Sequence, residues 1–267
     1  KVPGAHLCEP SPQRTPVLYQ AGTSTKGRAF AGKHAELVFI GSPTKNAAKQ
    51  SVKKLREEAI RSGRAPEEIK ILACITPIVG RTEEEAIEKY SEYKNHISYE
   101  GALALLGGWT GIDFSEYGPD ENLKYVKNDA IQSTVENFTK IDSDINWTID
   151  EIKKYTGIGG LGPVTVGSPE QVADDLERWV EETGVDGFNI AYAITPGTFV
   201  DFVELVVPIL QERGLVRKEY EGDTLRENLF GQGNQLPPHH PGKQVDGQRD
   251  SYHGHRDRSL VHTEIGS

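Results

Sequence analysis

Pro16-Val-Leu-Tyr-Gln-Ala-Gly-Thr-Ser24 joins a short apolar run to a glycine and two hydroxyl residues. The run through Ala21 predicts a buried strand, Gly22-Thr23-Ser24 a turn, and Lys26–His34 a short helix. The pattern then repeats. Glu36-Leu-Val-Phe-Ile40 predicts a second buried strand, and Ser42-Pro43 a cap with a helix-starting proline. The helix to about Ser62 carries Ala48, Val52, Leu55 and Ala59 on one stripe and stops at Gly63. Ile69–Val79 predicts a third strand. Thr82-Glu-Glu-Glu85 opens a long helix, with Ile87, Tyr90 and Ile97 turned inward, that continues toward Leu106.

From Trp109 to about Leu161 the rhythm breaks, with a helix-like stretch near Ile131–Ile141 and another at Thr148–Tyr155 ended by Gly157. A connection that long predicts a lid or binding loop inserted at about 109–161. Regularity returns at Gly167-Ser168-Pro169-Glu170, a helix start, with Val172, Leu176, Trp179 and Val180 on one face and Gly184 as the stop. Asp186–Tyr192 predicts the fourth strand. Thr198 caps a last helix to Arg213, with Phe199, Val203, Val206 and Leu210 on its buried face. The organisation expected is a partial domain over residues 1–231. The stretch 232–267, rich in Gly, Pro, His and Gln, is expected to be a disordered tail.

Strands alternating with helices predict an α/β fold with a parallel sheet. A closed barrel of eight units takes about 250 residues without insertions, and four strands cannot close one. The 267-residue chain shows only four units, lacks methionine and opens Lys1-Val2-Pro3-Gly4. It reads as half of something, with sequence expected upstream. A net charge of −10 argues against nucleic acid and anionic membranes as partners. No apolar run approaches the roughly 20 residues that span a bilayer. The two cysteines, Cys8 and Cys74, have no metal-ligand or CxxC spacing; they predict ordinary thiols and fit a cytoplasmic location.

The stretch His6-Leu-Cys-Glu-Pro-Ser-Pro-Gln-Arg-Thr-Pro-Val-Leu-Tyr-Gln-Ala-Gly-Thr-Ser24, with Gly27-Arg-Ala-Phe-Ala31 and His34-Ala-Glu36, is not generic. Trp109-Thr-Gly-Ile-Asp113, the block Gly167-Ser-Pro-Glu170 to Phe188, and Pro208-Ile-Leu-Gln-Glu-Arg-Gly214 running to Thr224-Leu-Arg-Glu227 agree with it. Together they resemble the bacterial-luciferase superfamily, within it the two-component flavin monooxygenases that include the nitrilotriacetate and dibenzothiophene-sulfone enzymes. The resemblance covers about residues 1–240. It implies the C-terminal half of a TIM (β/α)8 barrel, with an inserted helical segment between the last two strands. It also implies reduced FMN from a separate flavin reductase, O2 and a small organic substrate as partners, and a homodimer for the full-length protein. Most of the chemistry would belong to the cofactor. A half barrel alone is expected to be inactive.

FMN ends in a phosphate, and a turn at a helix N-terminus offers unpaired N–H groups and a positive dipole end. The resemblance implies that Ala21, Gly22, Thr23 and Ser24 form this phosphate loop; Arg28 either adds charge or lies on the helix surface. The residues alone also allow a plain strand–helix turn. Trp109 and Trp147 either wall a substrate pocket or pack their own loop. Gly167-Ser168 reads as ordinary capping, and His239-His240 and His253-Gly-His255 as solvated side chains. Asp142, Asp144 and Asp150 lack calcium-loop spacing. No metal is expected and no catalytic residue is singled out. Two rival readings are a non-catalytic half barrel used as a binding module, and a deazaflavin-dependent oxidoreductase on the same fold.

Overall fold

The computed structural model describes residues 8–22, 24–123, 136, 147–160 and 162–244. Among them is a 5-stranded sheet: β1 (Tyr19–Ala21), β2 (Leu37–Ile40), β3 (Lys70–Val79), β4 (Val164–Gly167) and β5 (Gly187–Ile190). Every pairing is parallel. The long β3 organises the sheet. Its Lys70 and Thr76 N–H groups donate to Glu36 O and Pro163 O, each at 2.9 Å, so even-numbered residues bond toward β2 and then β4. Asp186 and Ala191 donate to the carbonyls of odd-numbered Ile71 and Ile75, each at 2.8 Å. β5 therefore takes the opposite edge, and β4 continues the track where β2 stops. Pro77 has no N–H to give. Its odd position faces the edge that β5 has already left, since that pairing ends at Ile75↔Ile190.

Helices α1 (Thr25–His34), α2 (Lys45–Arg61), α3 (Glu83–Asn95), α4 (Tyr99–Thr110), α5 (Ile149–Gly157) and α6 (Pro169–Thr183) link the strands. The stripe Ala48, Val52, Leu55 and Ala59 is buried, as its spacing demands. It packs with Val172, Leu176 and Trp179 of α6 over Val38, Ile40, Ile71, Ala73 and Ile75. Each large aliphatic side chain so buried contributes about 1.5–3 kcal/mol. Val180, expected on the same face, is exposed. Ser168 and Gln171 cap α6 reciprocally, and Gly184 ends it at φ 75°. No helix among the described residues is long and apolar enough to cross a membrane.

Several elements differ from the sequence reading. α2 starts at Lys45 because Thr44, not Ser42, supplies the cap: its hydroxyl accepts from Ala47 N–H at 3.1 Å. The expected long helix breaks, because Ser98 caps a new one through Gly101 N–H at 3.0 Å. Ala86, not the 52% exposed Ile87, is the buried residue of α3. β4 is absent from the sequence reading, because Val164-Thr-Val-Gly167 offers only two valines before a glycine and no apolar run.

The last helix runs through α7 (Gly197–Asp201), a π turn (Phe202–Val206) and α8 (Val207–Glu212). Thr198 lies inside it, its hydroxyl accepting from Ala193 and Ile194 N–H at 3.2 Å each. The extra residue of the π turn rotates the following face by about 100°. Val206 and Leu210 are buried while Phe199 and Val203 are exposed, and Phe202, Leu205 and Ile209 pack on the core instead.

The stretch from Gln232, expected to be tail, continues from α9 (Leu225–Phe230) into α10 (Pro241–Gln244). Leu236 and His240 are buried there. The helix-like stretch near 131–141, apart from Glu136, and residues 245–267 lie outside the described residues.

Candidate functional site

β1 delivers Ala21 and Gly22 to the C-terminal end of the sheet, where sites on parallel α/β folds collect. Both are exposed. Gly22 has φ 107°, a conformation L side chains rarely adopt, and the space beside its Cα is open. Thr23 lies outside the described residues. Ser24 is the N-cap of α1, its hydroxyl accepting from Gly27 N–H at 3.2 Å. A Cβ on Gly27 would sit 2.8 Å from Gly22 O, so a glycine is what lets the turn close onto the helix. The first turn of α1 holds no acidic residue. The Arg28 guanidinium donates to Thr25 Oγ1 at 3.4 Å. The turn thus combines open space, a helix N-terminus and a hydroxyl whose proton is still available to an acceptor.

The other end of this strand is held by residues the site reasoning missed. Arg226 is 2% exposed. Its Nε and Nη2 donate to the Glu36 carboxylate at 2.7 and 3.0 Å. Nη2 also reaches Thr15 O and Pro16 O at 3.0 and 3.1 Å, and Nη1 reaches Asn234 O at 2.8 Å. Glu36 in turn accepts from Leu18 N–H at 2.9 Å. The pair pins the start of β1 to α9, and so fixes where the strand ends. Both residues lie in motif segments quoted above; only their meeting in space was illegible.

Next to Tyr192–Ile194, the segment leaving β5, lies a cavity of about 450 Å³. Tyr93, His96, Leu105, Thr156, Ile158 and Tyr192 line it, with the backbone of Gly157 and Gly159. Burial pushes the Tyr93 hydroxyl above its ordinary value, which keeps it a neutral phenol. Trp109 and Trp147 stand apart from it. Both pack on the satellite cluster of Leu106, Ile112, Phe114, Leu123, Ile149 and Ile152. Trp147 meets Tyr155 edge-on at 5.5 Å between centroids. The Cys74 thiol, on β3, is pushed up by burial, away from nucleophile chemistry.

This arrangement is that of an α/β protein with a parallel sheet and an anion-compatible turn at its C-terminal end. Residues 3–187 match the family model of the luciferase-like monooxygenases, and the chain belongs to that family. It is 46% identical over 255 residues to dimethyl-sulfide monooxygenase of Hyphomicrobium sulfonivorans, covering 95% of this chain and 52% of that one. Over 241 residues it is 46% identical to long-chain alkane monooxygenase of Geobacillus thermodenitrificans (strain NG80-2), covering 90% and 50%. Among solved structures, a riboflavin lyase with modified FMN and riboflavin superposes with a TM-score of 0.78 at 37% identity, covering 88% of this chain and 52% of that one. The chain thus spans about half the length of the relatives it matches.

Proposed function

We propose that this chain forms the phosphate side of the FMN site in a two-component flavin-dependent monooxygenase, which uses O2 and a small organic substrate. A separate flavin reductase would supply the reduced FMN. The observation that carries this reading is the Ala21–Ser24 turn on the N-terminus of α1, in a chain 46% identical to a named monooxygenase. FMN, when bound, supplies the oxygen chemistry. The chain's own residues bind and orient. Gly22 leaves room for close backbone approach, the α1 dipole favours the phosphate charge, and Ser24 donates its hydroxyl proton.

β1, β2, β3 and β5 are read as consecutive staves of the C-terminal half of a (β/α)8 barrel. β5 has no strand on its far edge among the described residues. The remaining staves would come from sequence corresponding to the other half of the relatives, and the chain alone is expected to show no turnover.

The test is a titration of the chain with FMN and with riboflavin, which lacks the phosphate. FMN should bind more tightly. Ser24→Gly, which keeps an acceptable cap, should lower FMN affinity about tenfold, the loss expected for one hydrogen bond to a charged group. Riboflavin binding should not change. Equal affinity for the two flavins, or a Ser24→Gly variant that keeps full preference for FMN, would sink the phosphate-loop reading.

A further inference from the structure

α1 carries the Ser24 turn on its N-terminus, yet its own sequence makes a weak helix. It has 10 residues, short of the about 12–15 at which an isolated helix holds. Gly27 and Gly32 lie inside it, and its first turn holds no acidic residue. Its C-cap is Ala35 at φ −81°, in place of a left-handed glycine. The next amides cannot turn back to close it. Glu36 and Leu37 N–H both donate to Leu18 O, at 2.9 and 3.1 Å, because β2 begins at once. The last carbonyls of α1 are left to groups from elsewhere in the fold.

Two buried side chains take them. Arg64 follows α2 and is 6% exposed. Its Nη1 donates to Gly32 O at 3.1 Å and to Ala35 O at 2.8 Å. Its Nε and Nη2 donate to the carboxylate and the carbonyl of Glu68, at 3.3 and 3.1 Å, which fixes the plane of the fork. His240 is 1% exposed. Its Nδ1 accepts from Gly242 N–H at 3.0 Å, so Nε2 carries the proton and donates to His34 O at 3.2 Å. The same end of α1 lies backbone to backbone on α2, where a Cβ on Gly32 would stand 2.6 Å from Glu58 O.

We propose that Arg64 and His240 are positioning residues for the phosphate turn. They touch no ligand and act through α1, which is about 15 Å long. A helix this short forms or frays as a unit. Holding its last carbonyls therefore also holds the Ser24 cap and the Arg28 N–H, which donates to Ser24 O at 2.8 Å. The turn is then formed before an anion arrives, and the cost of ordering it does not fall on binding. The inference rests on the reading of Ala21–Ser24 as a phosphate loop.

Three variants of the chain test this. Arg64→Lys keeps a charge beside Glu68 but not a fork that spans two carbonyls. His240→Asn keeps an acceptor for Gly242 N–H and loses the donor to His34 O, whereas His240→Gln keeps that donor. In the flavin-free chain, Arg64→Lys and His240→Asn should lower the hydrogen-exchange protection of residues 28–31 about threefold to tenfold relative to the β3 amides, as for one lost hydrogen bond. FMN affinity should fall about threefold, which corresponds to a turn formed one third as often, and riboflavin affinity should not change. His240→Gln should restore both readouts. A variant that only loses global stability lowers protection at α1 and β3 alike and keeps the ratio of FMN to riboflavin affinity; that result overturns the proposal. A wild-type chain with no preference for FMN overturns the phosphate-loop reading, and this inference with it. A preference that the wild type shows and that both Arg64→Lys and His240→Asn keep overturns this inference alone.

Discussion

Arg226 and Ser24 act on the same strand from opposite ends. Ser24 works locally: its cap and its turn are written in adjacent residues, which is why the sequence exposes it. Arg226 works at a distance, joining residues 15, 16, 36 and 234 through one guanidinium. A planar fork with five donors suits that task, and lysine would not replace it. Arg226→Leu would leave the Glu36 carboxylate buried and unpaired, a change expected to cost about 3–5 kcal/mol. Denaturant unfolding of the variant would show this as a lower midpoint. Replacing both partners should cost less than the sum of the single changes, because neither charge is then stranded. A strictly additive pair would refute the clamp.

At the scale of elements, the segment after α9 is held by a histidine in a defined tautomer. His240 Nδ1 accepts from Gly242 N–H at 3.0 Å, so the ring proton sits on Nε2, 3.2 Å from His34 O. Protonating Nδ1 would remove that acceptor. Burial, and then the Arg64 charge, hold the His240 pKa below its ordinary value. The folded state therefore prefers the neutral ring. This contribution is fully present above the unfolded value of about 6.5. It is lost as pH falls from there through the lower folded pKa. Hydrogen-exchange protection factors at Gly242 and Lys243 should fall over that window, ahead of those of the β3 amides. Exchange independent of pH-linked opening would show that the ring does not govern the segment. Composition concealed this element. A Gly/Pro/His-rich stretch looks solvated until Leu236 and His240 are seen against the opposite end of the chain. The same holds for α7–α8, where a π turn alters the face that spacing alone assigns.

For the whole molecule, the decisive feature is the far edge of β5. Beside it runs an apolar groove of about 420 Å³, lined by Leu176, Val180, Phe188, Ile190, Phe202 and Leu215 among others. Unpaired edges with apolar flanks associate unless covered. The chain alone is expected to self-associate with rising concentration, measurable by sedimentation velocity. Val180→Lys, at an exposed position on the groove, should shift it toward monomer. A chain that stays monomeric at high concentration would argue that this edge is already protected.

Strand–helix alternation, the α2 stripe and the caps at Thr82 and Ser168 were legible in the sequence. Each depends on residues within a turn or two of one another, and local periodicity records such contacts. The family was legible too, through motifs whose residues match side by side. The tertiary structure alone decided that β4 extends the track of β2 and that Arg226 meets Glu36. Those outcomes depend on packing between residues far apart in the chain, where burial and hydrogen-bond geometry, not sequence spacing, set what each group touches.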